Sequence, residues 1–393
     1  MSTYIGIGYS KKPDWQEAAF EAALMVRKQL GSTKADLLIV LATADYCRAE
    51  ILPAIKSVID SPLLIGSSSL ALILPDQILN KGLGLLAIKS ETTTFTANSY
   101  TINATTPLRN AGFELTRGLI GHQHSQRQGC LFFADGIFRN SKDFLHGVGE
   151  VMGFSAAVIG ALSSRAAEYK HNYQFFNDKL LESHAVAAMI HGSNRFFTES
   201  RHSFKILGRP RLTTKSSDFV LRTIEDKPAI NLYEEFFKEK ADKIRNDPFR
   251  LYQQYPLGFY DEKTQRYTLR SPIDILTDGS IVFHGEVPES TEVHLMISNK
   301  ESCLNSSFDA ANALKEAVGD RTIEVLFVIE SGVRARILGR DALKSINTIR
   351  ETLSLTIPVF GMYSFGEIAP WKMGSTNRQL NFNNGGIVLG ALT

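Results

Sequence analysis

Five residues near the end of the chain have the types and spacing to hold a small zwitterion. Glu330-Ser331-Gly332-Val333-Arg334-Ala335-Arg336 closes one apolar stretch, and Gly361-Met362-Tyr363-Ser364-Phe365-Gly366-Glu367 closes the next. If the two stretches are neighbouring parallel strands, Glu330, Arg334, Arg336, Tyr363 and Glu367 reach one sheet edge. A guanidinium is a planar fork for a carboxylate and a carboxyl group can hold an ammonium, so that edge would carry both halves of an amino-acid clamp. The same side chains can instead pair with one another, Arg334 or Arg336 with Glu330 or Glu367, tying two loops together without any ligand. If burial raised the pKa of Glu367 or Glu330, either would also be placed as a general base.

The elements that must position these residues occur three times. Residues 37–66, 130–160 and 325–361 each read as an apolar strand, a polar loop, an amphipathic helix and a second apolar strand closing on glycine. Strands joined through a helix run parallel, and their binding loops lie at the carboxyl ends. The closing glycines Gly66, Gly160 and Gly361 can let backbone N–H groups approach a ligand or can permit a tight turn. Each precedes hydroxyl-bearing residues: Ser67-Ser68-Ser69, Ser163-Ser164 and Tyr363-Ser364. Asp135-Gly136, at the end of the first strand of the second copy, either orients a ligand or makes a plain turn.

Other chemistry lacks its signature. G-x-S-x-G, the Walker loop and H-E-x-x-H do not occur, which sets aside the commonest serine-hydrolase, nucleotide and zinc motifs. Gly6-Ile-Gly8-Tyr-Ser-Lys11 has lysine where a dinucleotide loop needs its third glycine and reads as a turn. His122 and His124 are two apart and would diverge on a helix. Cys47, Cys130 and Cys303 are far apart with no C-x-x-C pair, as expected of buried thiols in a reduced compartment. We therefore expect no metal, no cofactor and no assigned catalytic residue. With 43 Lys and Arg against 41 Asp and Glu, the chain has no overall attraction for nucleic acid or acidic lipid. No run approaches the roughly 18 apolar residues of a spanning helix. The expectation is a cytoplasmic protein whose partner is a small molecule.

A length of 393 residues exceeds what one core usually supports. The predicted fold is α/β: two domains, residues 1–222 and 223–393, with repeated strand-helix-strand units and mixed sheets that include antiparallel strands. A strand at 4–8 and a helix striped by Trp15, Ala19, Ala22, Ala23, Val26 and Leu30, with Asp14 and Glu17 as a capping box, precede the first copy. Strands are expected at 82–90, 92–103, 172–176, 184–191 and 194–199, and helices at 108–120, 231–240 and 307–318. The basic stretch 201–215 reads as a solvated connector between domains, and the charged run 236–245 as an exposed helix face.

The pieces LLIVLAT with LLIGSSS, LFFADG with AAVIGALSS, DGSIVFHGEVPESTEVHLMI and VFGMYSFGEIAPW resemble the FIST-domain family, in which a FIST N-terminal domain precedes a FIST C-terminal domain. The closing Gly366-Glu367-Ile368-x-Pro370 is the most specific of them. The resemblance implies a sensory or signal-transduction module that binds a small ligand such as an amino acid, rather than turning it over. It carries Ser67, Ser68, Ser69, Asp135, Gly160, Arg334, Gly361, Tyr363, Gly366 and Glu367 over as site positions, beside Ser163 and Arg336 from the residue reading. Ala161-Leu162-Ser163-Ser164 departs from a glycine-rich turn ending in an acid, and Glu330-Ser331 stands where the family commonly has cysteine. With no kinase, cyclase or methyl-accepting segment in the sequence, a signal is expected to pass to a separate downstream protein. The alternatives are an enzyme using Glu367 or Glu330 at the same site, or a protein-interaction scaffold.

Overall fold

The three sequence copies are the centres of three larger units of one plan, seen in a computed structural model that describes residues 2–103, 105–120, 126–136, 141–153, 156–164, 171–237, 254–262, 265–373 and 377–393. Unit one runs β1 (Thr3–Ser10), α1 (Trp15–Leu30), β2 (Leu37–Thr43), α2 (Ile51–Lys56), β3 (Leu64–Ser69), the hairpin β4 (Leu72–Ile73) and β5 (Ile78–Leu79), and β6 (Leu83–Ser90). Unit two repeats the order: β7 (Thr93–Thr101), α3 (Leu108–Arg117), β8 (Arg127–Ala134), α4 (Ser141–Met152), β9 (Val158–Leu162), the hairpin β10 (Gln174–Phe176) and β11 (Lys179–Leu181), and β12 (His184–Gly192). Unit three starts with β13 (Phe196–His202), after which a lobe is inserted. The lobe comprises β14 (Lys205–Ser217), β15 (Val220–Ile224), β16 (Lys227–Pro228), α5 (Asn231–Phe237), β17 (Leu257–Asp261), β18 (Arg266–Arg270), β19 (Pro272–Ile275), β20 (Ile281–Phe283) and β21 (Glu292–Ile297). The unit resumes with α6 (Lys300–Val318), β22 (Val325–Ser331), α7 (Gly332–Leu338), α8 (Ala342–Leu353), β23 (Val359–Ser364), the hairpin β24 (Glu367–Met373) and β25 (Asn377–Asn383), and β26 (Gly386–Leu392).

In each unit the two strands of the sequence copy are parallel neighbours: β2 with β3, β8 with β9, β22 with β23. The last strand of each unit, β6, β12 or β26, pairs antiparallel on the other side of the first. The hairpins do not stay at home. β10 pairs with β3 of unit one, β24 with β9 of unit two, and β4 with β23 of unit three. Three six-stranded sheets result, each completed by a hairpin from another unit.

Both faces of these strands are covered, which explains their unbroken apolar runs. Leu37, Ile39 and Leu41, with Leu131 and Phe133 and with Phe327 and Ile329, point into one core shared by the three sheets. The alternate residues face helices: Leu38, Val40 and Ala42 under α1 and α2, Phe132 and Ala134 under α3 and α4, Leu326 and Val328 under α6 and α8. The α1 stripe is buried as expected, and the Asp14 side chain accepts the Glu17 N–H at 2.8 Å, capping the helix. The Asn299 side chain caps α6 in the same way, so that helix starts about two turns earlier than its apolar stripe predicts.

Two expectations are corrected below. Position 222/223, the expected domain boundary, lies in β15, and strands from both sides of it share sheets, since β13 pairs with β26 and the hairpins cross between units. The body separate from the three-sheet core is the inserted lobe, with its own core around Tyr233, Leu257, Phe283 and Leu295. The stretch 201–215 is mostly the long strand β14, not a connector. Its register breaks between Leu207 and Arg211, where Gly208 takes φ 79 and Pro210 has no N–H to offer. Arg209 and Arg211 there are paired with Glu225 and Glu235. Gly6 and Gly8 lie within β1 instead of in a turn, and their missing side chains let α1 pack against the strand. The run 236–245 lies outside the described residues beyond Phe237, as do His122 and His124. Among the described residues no helix is long and apolar enough to cross a membrane.

A methyl group at Gly8 would stand 1.9 Å from the Ala22 carbonyl oxygen. Gly8→Ala must therefore push α1 away from β1. Urea unfolding is expected to show a loss of about 1–3 kcal/mol, the usual range for overpacking.

Candidate functional site

The carboxyl ends of the three parallel pairs meet, and each unit satisfies polar groups of the next. The Ser164 hydroxyl donates to the Tyr363 carbonyl at 2.5 Å and accepts the Leu70 N–H at 2.8 Å, joining all three units through one oxygen. The Ser69 hydroxyl lies 2.6 Å from the Ala71 carbonyl and 3.2 Å from that of Tyr363. Backbone bonds run from Ser164 N–H to Ser68 C=O, from Leu162 N–H to Gly366 C=O and from Tyr363 N–H to Ala71 C=O. Ser67, Ser68, Ser69, Ser163, Ser164 and Ser364 are all buried.

Strand register aligns the units residue by residue. Gly66, Gly160 and Gly361 stand beside Val40, Phe132 and Val328. It follows that Thr43, Asp135 and Ser331 are equivalent, as are Ser69, Ser163 and Ser364. The crossing hairpins add Leu72 opposite Met362, Gln174 opposite Ser67, and Glu367 opposite Ala161. All nine positions share the inward parity of the central core, which is apolar along the strands and polar at their carboxyl ends.

One frame thus carries three chemistries. In unit three, the Ser364 hydroxyl donates to Glu367 Oε1 and the Gly386 N–H to Oε2, both at 2.9 Å. Burial outweighs these bonds and pushes the Glu367 carboxyl up to about 8, so it is a neutral acid at pH 7. In unit two, the Gln174 amide donates to Ser163 Oγ at 3.0 Å and its oxygen accepts the His184 N–H at 3.3 Å, the same pattern with an amide in place of the acid. Asp135 beside it accepts the Ser183 N–H at 3.0 Å and Asn172 Nδ2 at 3.2 Å. In unit one the hairpin position is Leu72, and Thr43 exchanges hydrogen bonds with the backbone of Gly82.

The expected edge cluster is split by the sheet. Glu330 has outward parity, matching Ala42 and Ala134, and lies under the helices. Arg334 is wholly buried and fully engaged there: Nε with Glu330 Oε1 at 2.8 Å, NH1 with Ser306 Oγ at 2.6 Å, and NH2 with Ser307 Oγ at 2.7 Å and the Cys303 carbonyl at 3.0 Å. Burial opposes its charge, but the Glu330 carboxylate prevails and holds the guanidinium above its ordinary value. Arg334 is thus a brace between β22 and α6, not an open ligand clamp. Tyr363 shares this outer face, where burial and then Glu330 push its hydroxyl well above the usual phenol range. Arg336 is exposed on α7.

The glycines also take another role than expected. A methyl group would lie 2.1 Å from the Val40 oxygen at Gly66, 2.0 Å from the Val328 oxygen at Gly361, and 2.5 Å from the Phe132 ring at Gly160. Their open sides are filled by neighbouring protein rather than facing a ligand. Gly366 makes room in the same way for the Phe382 ring. The residues missed in the sequence are Gln174, Thr43, Ser331 and Asn172. Gln174 falls in a correctly expected strand, but its place depends on which sheet that strand joins. Among the described residues no group of three or more His, Cys, Asp and Glu is arranged to hold a metal. The three cysteines are buried and free, and burial pushes the Cys130 thiol up to about 12.

Comparison with protein families matches the FIST N domain over residues 36–227 and the FIST C domain over residues 229–370. The chain belongs to the FIST family, whose domains serve as small-ligand sensory domains of signal-transduction proteins. No curated protein matches it. A solved structure described as "Cyanuric acid hydrolase: evolutionary innovation by structural concatenation" aligns over 100% of both chains at 6% identity and a TM-score of 0.37, a likeness too slight to bear on the site.

Removing the Arg334 charge should strand a buried carboxylate. Arg334→Met is expected to cost about 3–5 kcal/mol in urea unfolding, and the double variant Glu330→Gln/Arg334→Met to recover part of that loss. Glu367 has the opposite signature. Its carboxyl is ordinarily near 4.5 and stands near 8 when folded, so between those values the unfolded chain releases its proton first and stability falls as pH rises, by up to about 1.4 kcal/mol per unit. Glu367→Gln should remove that slope, seen as the difference between wild-type and variant unfolding curves at pH 5, 7 and 9.

Proposed function

We propose that this protein is a sensory module that binds an amino acid or small carboxylate at the junction of its three units. The observation that carries the reading is the buried Glu367 carboxyl, held by the Ser364 hydroxyl and the Gly386 N–H where the units meet. A neutral acid can donate to a ligand carboxylate, and Asp135, on the equivalent strand end of unit two, can accept from a ligand ammonium. The clamp expected of Arg334 and Glu367 is thereby reassigned to Glu367 and Asp135, with Ser67, Ser163 and Ser364 as hydroxyl partners and Arg334 as the brace behind β22. The output of such a sensor passes to a signalling partner.

A second reading has Glu367 as general acid or base of an enzyme, since a carboxyl near 8 can exchange its proton at neutral pH. One experiment serves both. Thermal unfolding with L-amino acids and small dicarboxylates should reveal a ligand that adds about 2.7 kcal/mol at a hundred times its Kd. Stabilisation should shrink in Glu367→Gln and Ser163→Ala, and from pH 7 to pH 9 as Glu367 ionises against the ligand carboxylate. Recovery of the ligand unchanged favours the sensor, and a new product lost in Glu367→Gln favours the enzyme. No stabilisation by any compound, or shifts indifferent to both substitutions, refutes the site.

A further inference from the structure

The free side of β1 opens into a cleft of about 540 Å3 between units one and three. β1 is the edge of its sheet, and opposite it Ile88 and Ser90 of β6 turn their backbone groups to the other side. There the Ile88 carbonyl accepts the Asp36 N–H at 2.8 Å, and the Ser90 N–H donates to Asp36 Oδ2 at 2.7 Å. Their partners in register, Ile5 and Thr3, therefore form non-hydrogen-bonded pairs with β6, and their own N–H and C=O groups face outward, as do those of Ile7.

At Ile7 the protein closes this edge itself. The Gln29 amide accepts the Ile7 N–H at 3.0 Å and donates to the Ile7 carbonyl at 2.5 Å, the two bonds a neighbouring strand would make. One step along, the outward groups of Ile5 have no such partner among the described residues, and there the cleft begins. Its far wall is the chain at 321–324 and 354–358. Ile5 is recessed and half-buried, so a single extended segment can reach it where the edge of a second folded sheet cannot. Outward groups of Thr3 and Ile5 recur about every 6.8 Å, the two-residue repeat of a strand. Lys315 and Arg321 line the cleft against one carboxyl, Glu324.

We propose that this cleft docks an extended peptide segment of a partner protein, which adds as a strand beside Thr3 and Ile5 and sets an acidic side chain near Lys315 and Arg321. The surface is remote from the strand junction, so the inference stands whether or not a ligand binds there.

The probe is a fluorescein-labelled, amidated Val-Thr-Glu-Val-Thr peptide, compared by anisotropy with its alternately N-methylated form and with lysine in place of glutamate. The full chain should bind the parent saturably, and both altered peptides at least about tenfold more weakly. Amide hydrogen exchange at Ile5 should slow at least about tenfold in the complex, which locates the peptide. Lys315→Glu, an exposed change, should erase or invert the preference for glutamate. The proposal is overturned if the parent shows no saturable binding up to about 1 mM. It is equally overturned if the N-methylated peptide binds as well, if Ile5 exchange is unchanged, or if Lys315→Glu leaves the glutamate preference intact.

Discussion

The carboxyl ends of three parallel strand pairs meet in the interior, where buried hydroxyl and peptide groups are costly to leave unpaired, and most of those described find their partners within the protein. Ser164 answers this constraint most fully, since its oxygen serves the backbone of both other units. The crossing hairpins follow from the same demand. Each leaves its own unit at the junction and pairs with the second strand of another, which would otherwise be a bare sheet edge. The units are interlocked, and none completes its sheet alone.

Equivalent positions around the junction have diverged in chemistry while keeping one geometry. The backbone N–H of His184 meets Gln174 as that of Gly386 meets Glu367, and Ser163 and Ser364 supply the matching hydroxyls. The third position is Leu72, within the apolar core. The arrangement is threefold in backbone and asymmetric in side chains.

Two glutamates show how a buried carboxyl is accommodated in opposite ways. Glu330 meets a guanidinium that is itself satisfied by Ser306, Ser307 and the Cys303 carbonyl, an arrangement that is costly to break on one side only. Glu367 meets hydroxyl and amide groups but makes no ion pair among the described residues, and burial outweighs those bonds and the weaker pull of Arg334, so it keeps its proton. The first ties helices to a strand on the outer face of the sheet. The second lies on the inner face, in a state that can donate to a ligand.

Much of the frame was legible in the sequence. The three copies with their parallel strands, the α1 stripe with its Asp14 cap, and the FIST relationship all rest on local patterns, because period and capping act within a few residues. That the second strand of each copy runs parallel to its first, with both carboxyl ends on one side, could be read from the copies alone. Tertiary structure decided which groups meet there. Glu330 and Glu367 read alike as ends of adjacent strands, yet the alternation along each strand sends one outward to Arg334 and the other inward. Gln174 gained its place only because its hairpin joins the sheet of another unit. Pairing between strands a hundred residues apart is chosen by the whole set of edges and buried polar groups that must be satisfied together, and no short stretch of sequence contains that information.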